Sequence, residues 1–238
     1  MPQLHLFGGE KGGVGKSFVA RTVTQYCLDR QLPFTAFDTD RSNPDLKRTY
    51  GTSVPIRVGI LSEGEKYEDT ANQIYNAAIT QRVLVNLPAA VFPALKTWIE
   101  TNDLLTLSQE DDVQWILWFV SDGGFDSLNL LRLSLSYFQG KVKHVVVKNR
   151  GRGGDDWEPF ETDQPLQTLM KAHHASLLDF PRFPGNSTRN RIDAESLTFK
   201  VAQTFDAFTS IDKQRVRKFI KEAYAAIDTC GVFKHGTA

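Results

Sequence analysis

Short apolar runs alternate along the chain with longer stretches whose apolar residues recur at helical spacing. The first run, residues 4–7, leads into a glycine-rich turn and then a periodic stretch over about 16–30, which predicts strand, loop, helix. Further strands are predicted at 34–37, 57–61, 83–87, 113–120, 143–147 and 177–180, with helical patterns between most of them. Parallel neighbours need long connections, and a helix is the usual one. The expected fold is therefore α/β, a mostly parallel twisted sheet with helices on both faces. The most apolar run, W-I-L-W-F-V at 115–120, reads as a central strand buried on both faces in preference to a ligand-stacking site. A last helix over about 210–228 carries Val216, Phe219, Ile220, Ala223 and Ile227 as a core-facing stripe. G-R-G-G-D-D-W-E-P, 151–159, reads as a surface loop at the functional edge of the sheet.

A length of 238 residues suits one α/β domain, and with no internal repeat the whole of 1–238 is expected to be that domain. At 41% apolar and 24% charged residues, the composition excludes a disordered or low-complexity protein. Lys plus Arg and Asp plus Glu each number 28, so no global basic field draws the chain to nucleic acid or anionic lipid, and any such contact needs a local patch. Cys27 and Cys230 lack the paired spacing of a zinc or iron–sulfur site and suggest a reduced compartment. The start of the chain carries no export pattern, and no window approaches 18 apolar residues, so a cytoplasmic protein is expected.

The chemistry concentrates at 10–17, E-K-G-G-V-G-K-S, between the first strand and the first helix. This matches the phosphate-loop pattern G-x-x-x-x-G-K-[ST] everywhere except its first position, where Glu10 stands. Backbone N–H groups must point inward to cradle phosphate oxygens, which calls for Gly12, Gly13 and Gly15. The helix presents its N-terminus to the anion, Lys16 reaches the β- and γ-phosphates, and the Ser17 hydroxyl ligates Mg²⁺. The dinucleotide pattern G-x-G-x-x-G is not present in this turn. In the acidic stretch F-D-T-D, alternation along an extended segment puts Asp38 and Asp40 on one side, facing the phosphate loop if both end at the same sheet edge.

Lys11 to Ser17, K-G-G-V-G-K-S, together with Phe37 to Asp40, resembles the ParA/MinD family of deviant Walker A ATPases, with the ParA-like branch favoured. The resemblance implies a P-loop NTPase fold, ATP and ADP as ligands, and Mg²⁺. It places the nucleotide against Gly12, Gly13, Val14, Gly15, Lys16, Ser17 and Phe18. It gives Lys11 a catalytic role across a homodimer that sandwiches ATP, Asp38 a place with Ser17 in the metal shell, and Asp40 the orientation of the attacking water. Asn149, just beyond a strand in V-V-V-K-N-R, takes by the same likeness the role of reading the adenine edge; a turn-forming asparagine is the other reading. Pro181 and Arg182 in F-P-R-F-P either flank the base or make a simple turn. The sequence departs from the family at R-V-L-V-N-L-P-A, where Asn86 stands in place of an aspartate. An amide can accept from a metal-bound water but brings no charge, so slow hydrolysis is expected.

Lys213, Arg217 and Lys221 recur at i, i+4 and i+8 on the flank of the last helix, with Arg215 and Lys218 nearby. This strip is either a solvated face or a site for non-specific DNA. Membrane attachment is disfavoured, because the tail 229–238 lacks a long apolar face with basic flanks. The expected function is an ATP-dependent dimerising switch that positions a plasmid, chromosome or large protein assembly. It would bind nucleoid DNA in the ATP state and be stimulated by an adaptor protein linked to the cargo. The alternatives are a metabolic P-loop kinase or ATP-dependent ligase, and a weakly hydrolysing nucleotide-binding scaffold.

Overall fold

The computed structural model describes residues 2–61 and 68–233. Seven strands, Gln3–Gly8, Thr35–Asp38, Ile56–Val58, Arg82–Asn86, Gln114–Ser121, Lys143–Asn149 and Ser176–Phe180 (β1 to β7), form one sheet in the order β3-β2-β4-β1-β5-β6-β7. Every pairing is parallel. The fold class is the expected one.

The interior strands alternate between two cores, as a parallel sheet covered on both faces requires, while the edge strands β3 and β7 give buried apolar residues to one core only. On β5, Trp115, Leu117 and Phe119 face one core, while Ile116, Trp118 and Val120 face the other. The central strand pairs Leu6 with Leu117 and Phe7 with Trp118, so the layers continue across the sheet. The helices Lys16–Asp29 and Ser210–Thr229 cover one face, and Phe92–Thr101 and Phe125–Phe138 cover the other. Both tryptophans of β5 are structural. The Trp118 indole donates to His5 Nδ1 at 3.1 Å, and that of Trp115 donates to Ser108 Oγ.

Two expectations are corrected. The strand predicted at 57–61 is the three-residue edge strand Ile56–Val58, because Gly59 turns the chain away and packs against Thr39 and Ile74. The segment 151–159 is no plain surface loop: helical turns form at Arg150–Gly153 and Glu158–Glu161, and Trp157 between them is buried. A Cβ on Gly153 would collide with the Asp122 carbonyl, which is the close approach that lets this segment fold back on the sheet edge.

Chain order leaves β1 between β4 and β5. The connection from β4 to β5 passes across it, and the helix that follows β1 leads to the far side of β4. Such a reversal opens a crevice beyond the carboxyl ends of the strands, where ligands of open α/β sheets bind. Among the described residues no helix is long and apolar enough to cross a membrane. Residues 234–238 of the tail considered for membrane attachment lie outside the described residues.

Candidate functional site

The phosphate-loop sequence emerges from β1 at that crevice. The helix Lys16–Asp29 opens on Gly15, which has a left-handed backbone (φ 97°) and provides no side-chain cap. The first-turn amides are left for a ligand. A Cβ at Gly15 would also run into the Asn149 amide nitrogen, so glycine is required here by conformation and by contact alike. Lys16 is nearly enclosed, and its ammonium donates to the Lys11 carbonyl at 3.1 Å, curling the loop around it. Burial lowers its pKa, and Glu10 and Asp40 partly offset that effect.

The cavity beside the loop has a volume of about 430 Å³. Gly12, Gly13, Gly15, Lys16, Ser17 and Phe18 form its floor. Asp40 and Asn43 stand on one side and Asn149, Arg152, Pro181 and Phe183 on another. Phe18 packs edge-on against Phe180, Phe183 and Phe199, so this wall of the cavity is rigidly packed.

The two aspartates of F-D-T-D part company. Asp40 lines the cavity, and its Oδ1 accepts from Ser42 N, Ser42 Oγ and Asn43 N. Asp38 ends β2 behind the cavity wall, enclosed and held by three donors: Asp40 N at 3.3 Å, Lys47 N at 2.9 Å and Asn86 Nδ2 at 3.0 Å. Desolvation raises its pKa, and those hydrogen bonds pull it back. The expectation that alternation aims both side chains at the loop therefore gives way, since β2 stops at Asp38 and the chain turns.

These elements match known proteins. The chain is similar to the MinD cell division protein of Aquifex aeolicus (TM-score 0.52, 15% identity, 93% of this chain and 98% of that one). It is similar as well to the MinC:MinD cell division protein complex of the same organism (TM-score 0.56, 12% identity, 100% and 99% covered) and to the Pyrococcus furiosus cell division ATPase MinD (TM-score 0.52, 13% identity, 93% and 98%). The fold is that of the ParA/MinD ATPases. At the level of sequence, the chain is 27% identical over 180 residues to Protein MobD of Acidithiobacillus ferrooxidans (75% of this chain, 77% of that one). It is 25% identical over 243 residues to Protein TraL of Escherichia coli (98% and 100%). No family model matches.

Several further contacts shape the loop and its surroundings. Glu10, at the first position of the loop, sends its carboxylate to the Phe92 amide at 3.0 Å, and its carbonyl accepts from Ala90 N. It thereby ties the loop to the segment after β4, and burial raises its pKa. Lys11 pairs within the same chain, with Asp122 Oδ2 at 2.8 Å. Burial would raise the Asp122 pKa, but the Lys11 and Gly124 hydrogen bonds outweigh it and the net shift is downward. Asn86 donates to Asp38, while its own Oδ1, fully buried, has no hydrogen-bond partner. An orphaned acceptor beside the acidic end of β2 fits a site that takes in a hydrated cation.

The base-reading candidates divide. Asn149 donates to the Val14 carbonyl at 2.7 Å and accepts from Gly151 N at 3.0 Å, so its amide braces the phosphate loop and caps a helical turn. Pro181 lines the cavity; Arg182 points away, donating to the Arg150 carbonyl and lying 3.9 Å from Asp155. On the last helix, Ser210–Thr229, Lys213 is half-buried, Arg217 and Lys221 are exposed, and Arg217 donates to the Gln203 carbonyl. Arg215 and Lys218 are committed to Asp212 and Glu222, so they add little free charge to the strip. Sequence reasoning missed Arg21, Asp45, Asp193 and Asp122. A buried arginine on the apolar helix after the loop was the one available signal for the first three.

Proposed function

We propose that the chain is an ATP-dependent dimerising switch that positions or partitions a cargo, hydrolysing ATP slowly until an adaptor stimulates it. The observation that carries this reading is the cavity at the end of the central strand, where an enclosed lysine and an uncapped helix start face Asp40 across the floor. Gly12, Gly13, Val14, Gly15, Lys16 and Ser17 hold the phosphates, and Phe18, Asn149 and Pro181 shape the wall beside the base. Arg182 reaches the base only by leaving Asp155. Ser17, which lines the cavity, would ligate a hydrated Mg²⁺, which supplies charge neutralisation at the phosphates, and Asp38 with Asn86 would meet its water shell only once the wall that encloses them opens. Asp40 orients the attacking water. Lys11, released from Asp122, reaches the nucleotide of a second copy. In the ATP state the dimer lays Lys213, Arg217 and Lys221 on DNA phosphates.

The MinD neighbours support an ATPase, and one of them is solved with a second protein, MinC. The test is mass in solution with ATP, with ADP and without nucleotide. The expected result is a dimer with ATP alone, lost in Lys11→Ala while ATP binding by the monomer survives. A parent that stays monomeric with ATP turns the reading toward a kinase or ligase, and one that fails to bind ATP removes it.

A further inference from the structure

Arg21 is second only to Trp118 in size among the fully buried side chains described. It lies one turn past Ser17 on the helix Lys16–Asp29, and therefore on the same helix face. Its Nη1 meets Asp193 Oδ1 at 2.6 Å and Asp45 Oδ2 at 3.5 Å, and its Nη2 approaches the Leu197 carbonyl at 3.5 Å. The guanidinium sits over the rings of Phe18 and Phe199, and its Nε has no partner. Arg48 closes a ring of charges: it pairs with Asp45 and donates to the Asp193 carbonyl at 2.7 Å.

Two arginines and two aspartates thus join three elements that the chain brings together from afar: the phosphate-loop helix and the helices Asp45–Tyr50 and Asn186–Ala194. A buried ion pair adds little net stability against an apolar replacement, because desolvation offsets its attraction. What such a ring supplies is geometry, since a guanidinium with several acceptors has few alternative placements. Arg21, Asp45 and Asp193 line the same cavity as Lys16 and Asp40. Asp38 clasps the segment 40–45 that carries Asp40, taking the amide of Asp40 at its start and that of Lys47 just beyond its end. That far end is held further by Asp45, which pairs with Arg21 and Arg48.

We propose that Arg21, anchored by Asp193, is a positioning residue that holds residues 40–45 against the phosphate loop and so fixes where the Asp40 carboxylate stands during hydrolysis. This role rests on the ATPase reading above. It puts part of the control of turnover on a helix 172 residues away in sequence from Arg21.

Asp193→Asn is the variant of choice. Its side chain is 41% exposed, so the change keeps size and needs no repacking. Without nucleotide, amide exchange over residues 40–47 should quicken roughly tenfold, with the rest of the chain unchanged. With ATP and Mg²⁺, the dissociation constant should stay within about twofold while kcat falls roughly tenfold to a hundredfold, as a displaced catalytic group produces. Asp193→Glu, which restores the carboxylate, should recover most of kcat. Unchanged exchange over 40–47, exchange that rises uniformly along the chain, a kcat equal to the parent's, or a loss confined to KM would each overturn the positioning role. The parent assayed alongside separates the two levels: a parent that hydrolyses ATP beside an equally active Asp193→Asn sinks this role alone. A parent that neither binds nor hydrolyses ATP sinks the ATPase reading and the role with it.

Discussion

Glu10 and Asn86 each stand where a recognisable pattern has another residue, and the structure shows how each is accommodated. The Glu10 carboxylate takes the open amide of Phe92 at a helix start, a favourable place for an anion. Asn86 presents a donor to Asp38 where a second carboxylate would repel it. Asn86→Asp therefore replaces a hydrogen bond by two buried carboxyls in contact. The variant should lose at least about 2 kcal/mol of stability at neutral pH. Urea unfolding checks this, and a midpoint equal to the parent's would mean that the second carboxylate is tolerated.

At the scale of elements, His144 on β6 is buried between strand and helix, where Nδ1–H donates to the Val142 carbonyl and Nε2 accepts from Ser134 at 2.9 Å. Burial lowers its pKa to about 4, with His173 contributing and the Val142 bond opposing. Above about pH 6.5 the imidazole is neutral in both folded and unfolded chains and its contribution is whole. As pH falls from 6.5 through 4, the unfolded chain takes up a proton that the folded one refuses, and stability declines by about 3 kcal/mol. Glu10 and Asp38, with raised pKa values, push the other way, so the comparison is between parent and His144→Gln. The variant should show the flatter fall in urea midpoint between pH 7 and 4. The last helix offers a separate test. Changing Lys213, Arg217 and Lys221 together to Gln leaves the buried stripe of Val216, Phe219 and Ile220 intact and should preserve folding and ATP turnover. If the strip contacts DNA, the slope of log affinity against log salt for random duplex should shrink by up to about three units. An unchanged slope would return the strip to a solvated face.

For the whole molecule, what was legible in the sequence is what lies close together along the chain. The strand, turn and helix of 3–29 are consecutive, so the phosphate loop could be recognised from spacing alone. Strands β1, β2, β4, β5, β6 and β7 announced themselves through apolar runs. The short edge strand β3 is legible only with displaced bounds, 57–61 for Ile56–Val58, because Gly59 packs against Thr39 and Ile74 and ends it. The Trp157 turn and the ring of Arg21, Asp45, Arg48 and Asp193 were invisible for the same reason: their partners meet only through the crossovers of the sheet. The family likeness assigns Asn149 to the adenine edge, and its bond to the Val14 carbonyl, made from the end of β6, joins residues 135 apart and is not legible in the sequence.

The placement of β1 has a consequence for how the protein is made. Its hydrogen-bonding edges are filled by residues 82–86 on one side and 114–119 on the other. A ribosome delivers β1 before either partner, and β5 starts 111 residues further along the chain, at about 5–20 residues per second of synthesis. For several seconds the nascent chain carries an apolar strand with two open edges, a template for wrong pairing. The segment that ends as an enclosed central strand of the sheet thus begins with both of its edges open.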